Sequence, residues 1–456
     1  MLDVPTARLA RTADTAQRFA VSAAATEGVA GSVDDVRAWF AGRSAAHRFS
    51  VTEIPFAELA GWGFARDTGN LVHDSGRFFS VEGLAVRTDA EHGGSWVQPV
   101  INQPEIGLLG LLAREFDGVL HFLMQAKMEP GNINSLQLSP TVQATRSNYT
   151  GVHKGSAIRY LEHFGPGRTT RVLADGLQSE QGSWFLAKRN RNMVVETHDD
   201  IEPHEDFVWL TLGQLHRLLA EDNLINMDSR TVLSVVPTEP ARGAFALHST
   251  AEVLSALTET RARRELVRRL VPLTAAYEGG WHRTDTEIAH DDGRYFRVVA
   301  VDVRATGREV ASWTQPLLAP ARRGLAAFLV KEIAGVRHVL ARARVEAGAH
   351  SVAELAPTVQ CDPVNYVVPP PYLREVQQAL AGDRARVLYD VVHSEEGGRF
   401  HHAENRYALI AADDHPVDVP DGFQWVAAHQ LHELLGYGNF LDVEARTLIA
   451  CLRSLS

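Results

Sequence analysis

The sequence predicts an α+β domain built twice in tandem. Three observations carry this: a long internal repeat at one offset, strand and helix patterns intermingled within each copy, and a composition that fits neither a disordered nor a membrane-spanning chain. The repeat is the strongest of the three. His73-Asp74-Ser75-Gly76-Arg77-Phe78-Phe79 recurs 217 positions later as His290-Asp291-Asp292-Gly293-Arg294-Tyr295-Phe296. At the same offset Trp96-Val97-Gln98-Pro99 returns as Trp313-Thr314-Gln315-Pro316, Pro140-Thr141-Val142-Gln143 as Pro357-Thr358-Val359-Gln360, and Asn148-Tyr149 as Asn365-Tyr366. Glu115, Gly118, Glu129 and Gly131 match Glu332, Gly335, Glu346 and Gly348. Further on the register slips slightly, so that Asn190-Arg191 matches Asn405-Arg406 and Trp209 matches Trp425.

Each copy opens on a helix signal. Ser32-Val33-Asp34-Asp35 and Ser249-Thr250-Ala251-Glu252 both place an N-cap serine before an acidic first turn. Pro237-Thr238-Glu239-Pro240 interrupts regular structure between the copies, giving repeats at 31–237 and 248–456. Residues 1–30, rich in Ala and Thr, read as a loose arm. Within a repeat, the His-Asp-x-Gly turn leads into a strand over 77–87, and a short strand surrounds Trp96. Pro104 sits at a tolerated N-terminal position of a helix carrying Leu108, Leu111 and Leu112 on one face and ended by Gly118. A strand follows from Val119 to Glu129, then a turn at Pro130-Gly131-Asn132 and a strand from Leu136 to Thr145. A helix near 155–163, strands over 182–196 and a helix at Leu212–Leu219 complete the pattern.

Composition narrows the class. The 456 residues are 45% hydrophobic and 22% charged, which excludes a disordered chain. No window approaches about 18 consecutive apolar residues, and the first residues lack a signal-peptide core. Cys361 and Cys451 are the only cysteines, which fits a reducing cytosol. A formal charge of −11 gives no support to nucleic-acid binding. The expectation is a cytoplasmic protein with neither membrane nor nucleic acid as partner.

Strand alternation then isolates a candidate surface. Leu120, Phe122, Met124, Ala126 and Met128 share one face, and His121, Gln125, Lys127 and Glu129 the other. In the next strand Gln137, Ser139, Thr141, Gln143 and Thr145 oppose Leu136, Leu138, Val142 and Ala144. The polar faces together form either an ordinary solvated sheet face or a ligand surface. Its richness in Gln, Thr and Asn, and one of only four lysines, favour the second. Comparing copies sharpens it. Glu129, Thr141, Gln143, Asn148 and Tyr149 persist as Glu346, Thr358, Gln360, Asn365 and Tyr366. Gln125, Lys127, Asn132, Asn134, Gln137 and Ser139 become Arg342, Arg344, Ala349, Ser351, Glu354 and Ala356. Repeat one is therefore read as the active copy.

Other constellations carry two readings each. His73-Asp74 is an acid/base pair or turn chemistry. Trp62 and Trp281, each after a glycine, stack on a nucleobase or cover a core. Arg189-Asn190-Arg191-Asn192 holds a diphosphate through forked donors or is a polar hairpin tip. No His/Cys spacing defines a metal site, and neither the Rossmann fingerprint nor a Walker loop is present.

Three strings carry a resemblance: Gln98 to Gly107 (QPVINQPEIG), Gly118 to Asn132 (GVLHFLMQAKMEPGN) and Leu138 to Tyr149 (LSPTVQATRSNY). They resemble the NDP-hexose 2,3-dehydratases of deoxysugar pathways in antibiotic-producing actinobacteria, and the likeness covers nearly the whole chain. The resemblance implies a Nudix-like fold in each half and a homodimer. It implies loss of water across C2 and C3 of dTDP-4-keto-6-deoxyglucose, and a labile 3,4-diketo product reduced by an NADPH-dependent 3-ketoreductase. It also implies one active nucleotide-sugar pocket and one relic, the latter placed at Trp281, Thr358, Gln360, Asn365 and Tyr366. One glutamate per expected helix, Glu115 and Glu332, is a poor clamp for a phosphate-bound cation, so diphosphate hydrolysis is disfavoured.

The reaction needs a base at C3, donors at the enolate oxygen and an acid at the C2 hydroxyl, and neither a redox cofactor nor a metal. Glu129 or His73 is the expected base, with Lys127 and Asn132 at the enolate oxygen and Tyr149 as acid or relay. Nucleotide and sugar contacts are expected from Trp62, Gln98, Gln125, Gln137, Thr141, Gln143, Thr145, Arg146, Ser147, Asn148, Thr150, Arg189 and Arg191. Two alternatives remain at this level: a non-catalytic nucleotide-sugar binding protein and a metal-dependent nucleotide-sugar pyrophosphohydrolase.

Overall fold

A computed structural model of the chain describes residues 15–90, 93–145, 158–236, 245–306, 310–366, 368–382 and 386–455. The arm is not loose from residue 15 onward. Residues 15–24 form a helix, α1, whose Phe19 stacks on Phe122 at 5.9 Å. Arg18 pairs with Glu115 and Glu196, and Ser22 Oγ donates to the Leu120 carbonyl. An apolar stripe and one arginine were enough to dock it, a pattern hidden by the Ala/Thr composition.

Repeat one continues with α2 (Val33–Ala46), closed by a capping box between Ser32 and Asp35. Its strands are β1 (Phe49–Ile54), β2 (Trp62–Phe64), β3 (Leu71–His73), β4 (Ser80–Thr88), β5 (Gly94–Asn102), β6 (Gly107–Phe116), β7 (Val119–Met128), β8 (Leu136–Ser139), β9 (Val142–Ala144), β10 (Arg171–Ser179), β11 (Arg189–Glu196) and β12 (Phe207–Thr211). Helices α3 (Leu212–Leu218) and α4 (Met227–Ser234) close it. Repeat two mirrors this, with α5 (Thr250–Arg263) capped by Ser249 and Glu252. Its strands are β13 (Leu266–Val271), β14 (Trp281–Arg283), β15 (Glu287–His290), β16 (Phe296–Ala305), β17 (Ser312–Pro320), β18 (Gly324–Ile333), β19 (Val336–Arg344), β20 (Glu354–Ala356), β21 (Val359–Cys361), β22 (Val387–Ser394), β23 (Glu404–Ala411) and β24 (Phe423–Ala427). Helices α6 (Leu373–Ala381), α7 (Ala428–Leu435) and α8 (Val443–Arg453) follow. The mixed α+β architecture and its duplication are as the sequence predicts.

The two copies exchange strands. β1 of repeat one pairs antiparallel with β16 of repeat two, Phe49 opposite Ala305. Reciprocally β13 pairs with β4, Leu266 opposite Thr88. Each small sheet is thus finished by the other repeat. Each large sheet has seven strands; in repeat one five run in the order β10-β11-β6-β7-β12, with β11 and β6 parallel, and β8 and β9 pair with β7 and β6.

The segment expected to be a helix after Pro104 is strand β6. Leu109, Leu111 and Ala113 enter one core and Leu108 and Leu112 another. A strand buried on both faces reads as a continuous apolar run, which periodicity alone cannot tell from a buried helix. Its counterpart β18 repeats this, so Glu115 and Glu332 lie on strands, paired with Arg18 and Arg337. The expected helix near 155–163 is only a single 3₁₀ turn at Leu161–His163 among its described residues. The expected strand over 182–196 begins only at Arg189, and the residues before it form a loop.

The strand expected over 136–145 is split. β6 and β7 pair from Leu112 and Leu123 toward their turn, then diverge; β8 follows β7 and β9 follows β6 into the gap. At the fork the Thr141 hydroxyl donates to the Leu123 carbonyl and accepts from Leu112 N–H at 2.9 Å. Thr358 does the same for Leu340 and Leu329. This persistent threonine closes backbone groups that the divergence would orphan.

The repeats meet along α4 and α8. Arg230 and Arg446 are fully buried there and bond across the pseudo-symmetry axis, Arg230 to Thr447 Oγ1 and the Ser394 carbonyl, Arg446 to Thr231 Oγ1 and the Ser179 carbonyl. Saturating the donors makes buried guanidinium groups tolerable.

Candidate active site

Two turns and two loops interlock beside α4 and α8. The β7–β8 turn of repeat one sits on the β22–β23 loop of repeat two: Gly131 N–H donates to the Gly397 carbonyl and His402 N–H to the Gly131 carbonyl, both at 2.7 Å. The β19–β20 turn sits likewise on the β10–β11 loop, through Gly348 to Gly182 and Ala187 to Gly348, both at 2.6 Å. A Cβ on Gly131 would collide with the Phe400 carbonyl, and one on Gly348 with the Phe185 carbonyl. Close backbone approach is why these glycines match between copies.

Under the first junction lies a buried polar cluster. Lys127 Nζ donates to Gln143 Oε1 at 3.1 Å, and Gln143 Nε2 donates to Glu129 Oε1 at 2.5 Å. Asn132 and Gln137 are buried beside them, and Gln137 is bonded to Ser394 of repeat two. Asp228, in the first turn of α4, and Glu396, on the β22–β23 loop, complete the group. The sheet face is therefore not solvated; it is roofed by the other repeat.

Burial sets the electrostatics. Desolvation, and then the Glu396 and Glu129 charges, push the Asp228 carboxyl well above its ordinary range. The first-turn position of α4 favours the anion, but by at most about 2 kcal/mol, and does not prevail. Desolvation likewise raises Glu396, against Arg399 and with Glu129. Asn132 Oδ1, Asp228 Oδ1 and Glu396 Oε2 are all shut off from solvent without a hydrogen-bond partner. Buried polar atoms are normally satisfied, so this grouping has hydrogen-bonding capacity to spare, as do Gln181, Glu354, Gln360, Asp442 and Glu444 at the second junction. Lys127 and Gln125, with His47, Phe49, Ala126, Met128, Leu136 and Thr306, line a shallow opening beside β7.

The corresponding place in repeat two is filled differently. Arg344 pairs directly with Glu346 at 3.1 Å and donates to the Gln360 carbonyl. Glu346 also accepts from Gly182 N–H and Ser183 Oγ, at 3.1 and 3.0 Å. Burial raises Glu354 to about 7 and Asp442 to about 8, and takes Glu444 well above its usual range.

Several expected site residues lie elsewhere. Trp62 is buried in the small-sheet core against Phe79 and His73, and Trp281 against Phe296 and His290, so neither indole face is open to a nucleobase. His73 Nδ1 bonds Ser75 Oγ at 2.8 Å and its ring packs on Phe78, which is turn chemistry and not a base beside the cluster. Thr141 and Thr358 serve the strand fork. Gln98 donates to the Ser183 carbonyl and accepts from Trp96, bracing the β10–β11 loop. Arg191 is bidentate to Asp175 on its own hairpin, as Arg406 is to Asp390, and Arg189 begins the same strand. Asn365 accepts from Tyr295 N–H, and Tyr366 packs at the edge of a core. Gln125 borders the opening and Thr145 is half-buried beyond β9. Arg146, Ser147, Asn148, Tyr149 and Thr150 lie outside the described residues.

Sequence reasoning missed Asp228 and Glu396. A signal existed for the first: Asp228-Ser229-Arg230-Thr231 matches Glu444-Ala445-Arg446-Thr447, an acid two places before a paired Arg-Thr in both copies. Glu396 stands opposite a glutamine in the other copy and gave none.

A duplicated α+β chain whose first repeat encloses a Lys–Gln–Glu chain beside two carboxylic acids of raised pKa is suited to acid–base chemistry on a polar ligand. The family model for NDP-hexose 2,3-dehydratase matches residues 33–236 and again 250–452, and the chain belongs to that family. It is 53% identical over 431 residues to the dTDP-4-dehydro-6-deoxy-alpha-D-glucopyranose 2,3-dehydratase of Streptomyces violaceoruber, covering 92% of this chain and 96% of that protein. Proteins of the same description from Amycolatopsis orientalis and Saccharopolyspora spinosa are 52% and 51% identical, over 97% and 91% of this chain and 94% and 90% of theirs.

Proposed function

We propose that this protein eliminates water across C2 and C3 of dTDP-4-keto-6-deoxyglucose, giving dTDP-3,4-diketo-2,6-dideoxyglucose, and is thus a carbon–oxygen lyase. The observation that supports this most directly is identity above one-half, across nine-tenths or more of both chains, to dehydratases of that description. The buried cluster of repeat one supplies chemistry of the right kind. The C4 ketone acidifies the C3 proton, and Glu129, held by Gln143, removes it. Lys127 and the Asn132 amide hold the enolate oxygen, and the enclosed setting strengthens both interactions. The ketone is the electron sink and no net redox change occurs, so the steps assigned here call on protein side chains alone. The substrate enters at Gln125 and Lys127, with Thr145, Arg146, Ser147, Asn148, Tyr149 and Thr150 as further candidate contacts.

The same reading extends outward. Each repeat, as delimited by 31–237 and 248–456, is a Nudix-like domain, and repeat two keeps a non-catalytic nucleotide-sugar site near Gln360 and Tyr366. The enzyme is a cytoplasmic homodimer whose labile product passes to an NADPH-dependent 3-ketoreductase. No helix among the described residues is long and apolar enough to cross a membrane. Incubation with dTDP-4-keto-6-deoxyglucose, such a reductase and NADPH tests the reaction. A 2-deoxy sugar nucleotide is expected, and unchanged substrate would overturn the assignment.

A further inference from the structure

Resting on that reaction, we infer that Glu396, a residue of repeat two, is the acid that protonates the departing C2 hydroxyl in the active site of repeat one. The loop that carries it is locked against the catalytic turn. A side chain built on Gly397 would strike Asn132 Oδ1 and the Cβ of Glu129. One built on Gly398 would lie 3.4 Å from Glu396 Oε1 and 3.9 Å from Glu129 Oε1, so the two carboxylates flank one glycine. The other oxygen of Glu396, Oε2, is enclosed and lacks a partner, as do Asn132 Oδ1 and Asp228 Oδ1 in the same cluster. Burial and the Glu129 charge keep the carboxyl protonated to higher pH than usual, with Arg399, Lys188 and Lys127 acting against them.

The second pocket supplies the contrast. Glu180 bonds Asn190 at 2.9 Å and Glu395 bonds Asn405 at 2.8 Å, which fixes the correspondence of the two loops. The residue matching Glu396 is then Gln181, followed by Gly182 as Glu396 is by Gly397. Gln181 donates to Glu395 and has no acidic proton to give. Asp228 does not distinguish the pockets, because its counterpart Glu444 is also an acid.

The step balances. Glu129 takes the C3 proton, and the electron pair passes into the C4 carbonyl. As that carbonyl re-forms, the C2–O bond breaks, Glu396 protonates the oxygen and water leaves. The resulting C3 enol takes a proton at C2 from Glu129 and returns its hydroxyl proton to Glu396. One water is lost and both residues are restored.

The test uses the full chain with dTDP-4-keto-6-deoxyglucose in D₂O, following C3 by NMR and elimination by reductase trapping. Glu396→Gln is expected to lower elimination by about 100-fold or more while still exchanging the C3 hydrogen for deuterium. Glu129→Gln is expected to lose both. Elimination by Glu396→Gln at near the wild-type rate would overturn the inference, as would loss of exchange together with elimination in a variant of unchanged melting temperature. If that variant melts early, Glu396→Asp decides: a raised ratio of exchange to elimination supports the acid role, and an unchanged ratio overturns it. Failure of the wild-type protein to dehydrate would instead count against the reaction itself.

Discussion

The two junctions of this molecule share a backbone and differ in how their charges are held. In repeat two the guanidinium of Arg344 reaches Glu346 directly, and the neighbouring loop adds two more donors to that carboxylate. In repeat one Lys127 bonds Gln143, which in turn bonds Glu129, and Asn132, Asp228 and Glu396 each keep a buried oxygen without a partner. At the second junction Gln181, Glu354, Gln360, Asp442 and Glu444 also keep a buried oxygen without a partner, so what separates the junctions is how Glu129 and Glu346 are held. Duplication therefore preserved the architecture twice, with a glutamine-relayed lysine beside the carboxylate in repeat one and a direct arginine pair in repeat two.

The largest effects should come from breaking that asymmetry at its centre. Lys127→Ala is expected to lower dehydration by about 100-fold or more while dTDP binding, measured calorimetrically, largely persists. Wild-type turnover by this variant would remove Lys127 from the site. Next is the interlock. Gly131→Ala forces a methyl into the Phe400 carbonyl, and a loss of about 3 kcal/mol or more is expected in denaturant unfolding.

Thr141→Val sharpens the comparison in another way. If the threonine persists for the strand fork, this variant loses about 2 kcal/mol from orphaned backbone groups while turnover per folded molecule stays near wild type. A selective loss of turnover would return Thr141 to substrate binding.

The smallest effect is the pH dependence of stability. Glu180 and Glu354 are raised to about 7 and Asp442 to about 8, so above the unfolded carboxyl range the folded state holds protons that the unfolded chain has released. Stability from these groups rises as pH falls from about 8 to the unfolded carboxyl range at about 4.5. Below about 6.5 three partly buried histidines act in the opposite sense. His216 and His401 are lowered to about 4 and His432 to about 3, so the unfolded chain binds more protons. Thermal melts should therefore show stability rising from about pH 8 to about 6.5 and then levelling, as the two sets offset one another. A gain that continued below about 6.5 with undiminished slope would contradict the lowered histidines, and no gain between about 8 and 6.5 would contradict the raised carboxyls.

The sequence made the duplication, the capping boxes and the polar strand face legible, because each leaves a local or periodic trace. The α2 and α5 caps sit at the expected serines, and Lys127, Glu129, Asn132, Gln137 and Gln143 do converge. What stayed hidden depends on contacts between the copies. Strand exchange between β1 and β16 leaves no period, and β6 resembles a buried helix because both its faces are apolar. Persistence misled where it reflected backbone demand: Thr141 recurs for the fork, Trp62 for a core, and His73 for a turn. Glu396 was invisible because the pocket it faces belongs to the other repeat.

The central claim is that the pocket of repeat one, completed by the repeat-two loop that carries Glu396, performs the chemistry and the pocket of repeat two does not; a reciprocal exchange tests it most directly. Steady-state dehydration would be measured for Lys127→Arg, which makes the first site resemble the second, and for Arg344→Lys, which does the reverse. Turnover below about a hundredth of wild type is expected from Lys127→Arg, and near wild-type turnover from Arg344→Lys. Equal losses from both variants, or a loss confined to Arg344→Lys, would contradict it.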